Sequence, residues 1–173
     1  MTDVMIDLET LDTATSTVIL SIGIVNFDPN KGSIDRPGGM LIFPDVQEQI
    51  NSGRTVSWDT VKWWMEQSED ARSELTKAER MPCEEINSAI SAWFMGKRDY
   101  RVWGNGAIFD ISIMENFLGK GKIPWKFWNV RDTRTFHMNF PYDKSRKTEV
   151  AHTALQDAVS QAERICEVWP MLK

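Results

Sequence analysis

The sequence predicts one α/β domain built on a mixed sheet, and three observations carry that prediction. Val4, Ile6 and Leu8 alternate with Asp7 and Glu9, the period of a half-buried strand. Val18 to Phe27 is nearly continuously apolar and β-branched, as in a central strand covered on both faces. From Ser57 onward the apolar spacing changes to three and four residues, and helical stretches then alternate with short apolar ones.

In chain order, Thr10 to Thr17 is polar and turn-like, and Asp28-Pro29-Asn30-Lys31-Gly32 is a strong turn after the second strand. A third strand is expected over Ile34 to Phe43, interrupted or bulged around Pro37-Gly38-Gly39. Ser57 suits the cap of a helix carrying Val61, Trp64 and Met65, and Ser68 that of a short helix beginning Glu69-Asp70-Ala71-Arg72. Pro82 fits the first turn of a long helix to about Lys97, with Ile86, Ile90, Trp93 and Phe94 on one face. Tyr100 to Trp103 reads as a strand closed by Gly104-Asn105-Gly106. A helix over Ala107 to Leu118 follows, ended by Gly119 to Gly121. Lys126 to Val130 is expected as a short strand, with Asp132 or Thr133 capping a helical turn. Pro141 to Val150 reads as a polar loop, and a last helix runs from near Thr153 to before Pro170. Without repeats or linkers, residues 1–173 are read as a single domain.

Hydrophobic content of 42% and charged content of 26% are ordinary for a globular protein of 173 residues. No apolar run approaches the ~20 residues that span a bilayer, so no membrane partner is expected. With no signal pattern and two isolated cysteines, Cys83 and Cys166, the expected setting is the cytoplasm. A net charge of −5 argues against coating nucleic acid by bulk attraction. It leaves room for an enzyme gripping a few nucleotides, because bound divalent ions invert the local charge of an acidic site. The eight tryptophans suit core packing and helix docking, with base stacking as the alternative.

The chemistry starts at Asp7 and Glu9, which project together from one face of the first strand. Two carboxylates side by side repel, and a cation between them relieves the cost. Asp110 opens a helix after the Gly104-Asn105-Gly106 turn, and Asp157 lies five residues after His152 in the last helix. An all-oxygen set of this kind suits Mg²⁺ or Mn²⁺ rather than zinc.

D-x-E at Asp7-Leu8-Glu9, then Gly104-Asn105-Gly106-Ala107-Ile108-Phe109-Asp110, then His152-Thr153-Ala154-Leu155-Gln156-Asp157-Ala158 together resemble the DEDDh 3′→5′ exonuclease family. That family includes the DnaQ-like proofreading exonucleases, ribonuclease T and oligoribonuclease. Trp63-Trp64 with Gln67-Ser68 and Ala71-Arg72 further resembles a compact subgroup that includes phage exonuclease A-type (DexA-like) enzymes and bacterial exoribonucleases. The resemblance implies an RNase H-like fold, a five-stranded mixed sheet flanked by helices. It implies that Asp7, Glu9, Asp110 and Asp157 hold two divalent cations and that His152 is the general base. The implied substrate is a single-stranded DNA or RNA 3′ end, with DNA slightly preferred, and the product a 5′-mononucleotide. The alternatives are an exoribonuclease and a non-catalytic nucleic-acid-binding module. A homodimer is also compatible with the resemblance.

Two positions depart from the family pattern. Asn105-Gly106 stands where many members have His-Asn, and Leu11 where many have a second threonine. The neighbourhood makes Thr10, Leu11 and Asn105 candidate contacts to the terminal nucleotide. Trp64 and Gln67 either line the substrate groove or dock their helix. Lys144, Arg146 and Lys147 either meet phosphates or form a solvated loop. His137 reads as structural, Asp132 as a helix cap, and Phe109 as a core residue.

Overall fold

β1 (Thr2–Thr10) runs through the middle of the sheet, and its alternation decides what lies on each side. The computed structural model describes residues 2–77, 79–95, 99–142 and 153–172. Val4, Ile6 and Leu8 turn to one face and join Ile22, Ile86, Ile90 and Ile113 in the larger core. Met5 turns to the other, against Val25, Phe27, Trp103, Ala158 and Ala162. Asp7 and Glu9 continue that second face at the C-terminal end of the strand.

β2 (Ile19–Asp28) pairs antiparallel with β1, with Asp7 opposite Gly23 and Glu9 opposite Ser21. β3 (Ser33–Ile34) and β4 (Met40–Ile42) both pair with β2. They are two pieces of the strand expected over Ile34 to Phe43. The break falls at Pro37-Gly38-Gly39, where the Gly38 N–H donates to Asp35 Oδ1 (3.1 Å) and the Gly39 N–H to the Arg36 carbonyl (3.2 Å). β5 (Tyr100–Gly104) lies parallel to β1, and β6 (Val130–Asp132) parallel to β5. The order is β3-β2-β1-β5-β6, with β4 also on β2: a mixed sheet, as expected.

Seven helices are described. α1 (Val46–Asn51) is not anticipated by the sequence; Asp45 caps it, its Oδ1 accepting from the Glu48 N–H at 2.8 Å. α2 (Trp58–Met65) follows Ser57, whose side chain makes no cap bond. Instead the Ser57 N–H donates to the Leu11 carbonyl at 2.8 Å, tying α2 to the end of β1. α3 (Glu69–Arg72) is capped by Ser68 as expected. α4 (Cys83–Phe94) starts one residue after Pro82, and α5 (Ala107–Leu118) follows β5. α6 (Thr133–Asn139) follows β6, and α7 (Ala154–Val168) packs on the Met5 face of the sheet.

The strand expected over Lys126 to Val130 is displaced. Phe127–Asn129 forms a 3₁₀ turn, closed by the Asn129 N–H on the Lys126 carbonyl (2.8 Å), and β6 begins only at Val130. Phe127 and Trp128 are exposed, so their aromatic character imitates a strand without being buried in one. The loop carrying Lys144, Arg146 and Lys147, and His152 itself, lie outside the described residues. Among the described residues no helix is long and apolar enough to cross a membrane.

Candidate active site

Asp7, Glu9 and Asp157 each bring a carboxylate oxygen within 4.8 Å of the other two. Asp7 and Glu9 do so because a strand sends alternate residues to one face. Asp157 arrives from α7, in its first turn, where its N–H donates to the Thr153 carbonyl at 2.9 Å.

What seats α7 here is a glycine in the middle of β2. A Cβ at Gly23 would lie 2.2 Å from the Ala154 carbonyl carbon and oxygen and 2.4 Å from the Leu155 nitrogen. The backbone of α7 therefore rests directly on β2 at the residue paired with Asp7. Ala154 is wholly buried at that contact. One turn beyond Asp157, Gln161 donates from Nε2 to Asp7 Oδ1 at 2.7 Å. The motif reading singles out neither Gly23 nor Gln161; a lone glycine in the Val18 to Phe27 run is the signal that was available.

Asp110 falls outside that 4.8 Å trio, though its charge acts on Asp7. Its Oδ2 accepts the Asn105 N–H at 3.1 Å, and the Leu8 N–H also serves it. Gly106, at φ 101°, makes the turn into α5 that a residue with a side chain resists. Asp132 then fastens that turn, its Oδ2 accepting the Ala107 N–H (2.6 Å) and its Oδ1 the Thr135 N–H (2.7 Å). One carboxylate thus caps α5 and α6 together, the capping role expected of it. Burial opposes its ionisation, yet the N–H donors of Thr135 and Ala107 hold its pKa below the ordinary value.

The electrostatics are those of carboxylates crowded together and buried. Burial raises the Asp7 pKa well above its ordinary value, and the charges of Asp110, Glu9 and Asp157 add to the rise against the Gln161 hydrogen bond. Burial pushes Asp110 up to about 7, against the backbone N–H donors of Leu8 and Asn105 and the charge of Arg134. A cluster of carboxylate oxygens that disfavours its own ionisation fits a hard divalent cation. Neither cysteine nor histidine belongs to it among the described residues.

The candidate substrate contacts divide. Leu11 and Trp64 are buried together with Val18, Leu20 and Ala71. Trp64, 1% exposed, donates from Nε1 to the Thr10 carbonyl at 2.9 Å, which docks its helix on the end of β1. Thr10 is buried and donates its hydroxyl to the Asp12 carbonyl (2.8 Å). Gln67 donates to the Trp63 carbonyl (2.8 Å). Asn105 stays partly open beside Asp110, its Oδ1 accepting from Thr133 Oγ1 at 2.8 Å.

The chain is similar to known proteins. A model of the 3′-5′ exoribonuclease Rv2179c-like domain matches residues 2–169. The chain belongs to this family. The family is described as a 3′-5′ exoribonuclease domain, and the fold is the one shared with the nuclease structures below. The exodeoxyribonuclease of Enterobacteria phage T4 is 27% identical over 160 residues, covering 78% of this chain and 70% of that protein. Among solved structures, a complex of E. coli exonuclease I with single-stranded DNA superposes with a TM-score of 0.69 at 11% identity, over 99% of this chain and 41% of the other. Cell-death related nuclease 4 gives 0.63 at 14% identity, over 98% and 64%. The nuclease domain of 3′hExo, a DEDDh family member bound to rAMP, gives 0.58 at 13%, over 98% and 92%. The family member thus spans less than two thirds of cell-death related nuclease 4 and of exonuclease I.

Proposed function

We propose that the chain, as one catalytic domain, releases 5′-mononucleotides from the 3′ end of single-stranded nucleic acid. Two Mg²⁺ or Mn²⁺ ions would be held by Asp7, Glu9, Asp110 and Asp157. The observation that carries this reading is the convergence of Asp7, Glu9 and Asp157 within 4.8 Å, with Asp110 backing them. Bound there, the cations would balance the carboxylates, lower the pKa of the attacking water and stabilise charge on the leaving oxygen.

The chain's own groups do the rest. Gln161 holds Asp7 in orientation through its 2.7 Å hydrogen bond. His152, five residues before Asp157, takes the proton as water adds to the terminal phosphodiester phosphorus. The bond to the 3′ oxygen of the penultimate nucleotide breaks, and the phosphate leaves with the terminal nucleoside. Thr10, Leu11, Trp64, Gln67 and Asn105 remain proposed substrate-site residues; Thr10, Leu11 and Trp64 would act by shaping the corner beside Glu9. The phage relative favours DNA as the preferred strand, whereas the family's description favours RNA as the second reading. Two free cysteines fit a cytoplasmic setting, and sedimentation would test the homodimer.

The test is a time course on 5′-labelled single-stranded DNA and RNA of matched sequence, with Mg²⁺, Mn²⁺ or EDTA and with Asp7→Ala as control. A metal-dependent ladder shortening from the 3′ end is expected, and the faster ladder names the sugar. Folded protein that binds both oligonucleotides and cleaves neither would replace this reading with a binding module.

A further inference from the structure

Between α6 and α7 lies a cleft of about 320 Å³, lined among others by Asn105, Arg134, His137, Tyr142, Gln161 and Arg164. That volume lies in the range of small-ligand sites. Two of its walls are shared with the carboxylate cluster. Gln161 donates to Asp7, and the Asn105 N–H donates to Asp110. The cleft therefore opens beside the carboxylates without containing them.

Its charge is the opposite of theirs. Arg134 and Arg164 form no ion pair or hydrogen bond among the described residues, in a chain of net charge −5. The Arg164 guanidinium carbon lies 4.8 Å from the centroid of the Tyr142 ring, which supports it by a cation–π contact. His137 adds no cation at neutral pH. Burial lowers its pKa, Arg164 reinforces the shift, and Nδ1 lies 3.0 Å from the Phe140 carbonyl. Gln161, 6% exposed, donates one amide hydrogen to Asp7, while its Oε1 is buried without a partner among the described residues. Two guanidiniums that make no ion pair among the described residues, beside an unmet acceptor, match a sugar-phosphate, which brings anionic oxygens and, in RNA, a hydroxyl donor.

We infer that this cleft binds a second phosphate of the substrate strand, on Arg134 and Arg164, while the scissile phosphate sits on the carboxylate cluster. The inference rests on the proposed exonuclease reading. At a 3′-hydroxyl end nothing lies beyond the terminal sugar, so a second phosphate is necessarily the next one on the 5′ side. The cleft is then the place where the enzyme distinguishes a strand from a dinucleotide.

Substrate length separates the outcomes. A dinucleotide without a 5′-phosphate has only the scissile phosphate, and a trinucleotide has the next one. Loss of one charge-assisted contact in Arg164→Gln raises KM for trinucleotides and longer strands about tenfold more than KM for the dinucleotide. Arg134→Gln, an exposed site, gives the same selectivity if Arg164→Gln does not fold. Arg164→Lys recovers part of the loss, because the charge returns without the planar fork. In parallel, binding of a fluorescent octanucleotide to Asp7→Asn protein is followed against salt. Each lost arginine lowers the slope of log K against log salt by about 0.7. Equal losses on dinucleotide and trinucleotide, or an unchanged salt slope, overturn the inference. If the unaltered enzyme cleaves nothing, the exonuclease reading fails and the salt slope still decides whether the arginines hold phosphate.

Discussion

Gly23 and Ala154 touch backbone to backbone: any Cβ on Gly23 would lie 2.2 Å from the Ala154 carbonyl carbon. This contact sets the height of α7 above the sheet, and the geometry of the carboxylate cluster depends on that height. Asp157 is three residues along the helix from Ala154, and Gly23 is the β-partner of Asp7. Gly23→Ala must push α7 outward or distort β2. We expect a stability loss of about 1–3 kcal/mol, the usual cost of overpacking. We also expect Mn²⁺ affinity to fall at least about tenfold, because Asp157 and Gln161 retreat from Asp7. Calorimetric Mn²⁺ titration of folded Gly23→Ala protein decides the matter. Unchanged affinity would show that the contact serves packing alone.

Metal-free protein should lose stability as pH rises through neutrality. Burial and neighbouring charge raise Asp7, and Asp110 is lifted to about 7. The folded chain then retains protons that the unfolded chain releases above about pH 4. With more protons bound to the folded state, the Asp110 contribution is lost between about pH 4 and pH 7, and Asp7 adds a decline in the same direction. A divalent cation takes the place of those protons. The rise in Tm on adding Mn²⁺ to EDTA-treated protein is therefore larger at pH 8 than at pH 5. Equal rises at both values would remove the raised carboxylates from the account.

Asp132 accepts hydrogen bonds from the first residue of α5 and the third of α6. Asp132→Ala leaves both N–H groups unmet, at roughly 1 kcal/mol for each cap. For a domain of this size, a combined loss of about 2 kcal/mol lowers Tm by about 4–8 °C. Asp132→Asn, which keeps one acceptor oxygen, should recover about half of it. Thermal unfolding of the two variants reads this directly, and a drop confined to about 1 °C would deny the double cap.

These residues differ in how far local pattern reveals them. Asp7 and Glu9 are legible because a two-residue period is local, and Asp132 because a cap bonds two or three residues ahead. Asp110 is legible from its position behind a glycine turn. Gly23 reads as an unexplained gap in an apolar run, since its partner is 131 positions away and only tertiary packing joins them. Gln161 looks like any polar residue on a helix until α7 is laid against Asp7. Leu11 and Trp64 show the converse: the sequence names both as candidate substrate-site residues, and only tertiary packing shows that both are buried under the Thr10 corner. α1 escapes notice because its six residues carry little apolar periodicity.

His152 and Asp157 are five residues apart in one motif and should fail differently when removed. Asp157 contributes an oxygen to the cluster shared with Asp7 and Glu9. Asp157→Ala therefore weakens Mn²⁺ binding and turnover together, and raising the Mn²⁺ concentration restores part of the rate. His152 is proposed to move a proton and contribute nothing to the cation. His152→Ala should leave Mn²⁺ affinity within about twofold while kcat drops by about 10²–10⁴, the usual loss of a general base. Its residual rate should also depend less steeply on pH than that of the unaltered enzyme, because the group that must be deprotonated to act as base is gone. Mn²⁺ titrations of both variants, with kcat measured from pH 5.5 to 8.5, separate the two roles. Comparable affinity losses would make His152 part of the metal site and leave the base to be sought elsewhere.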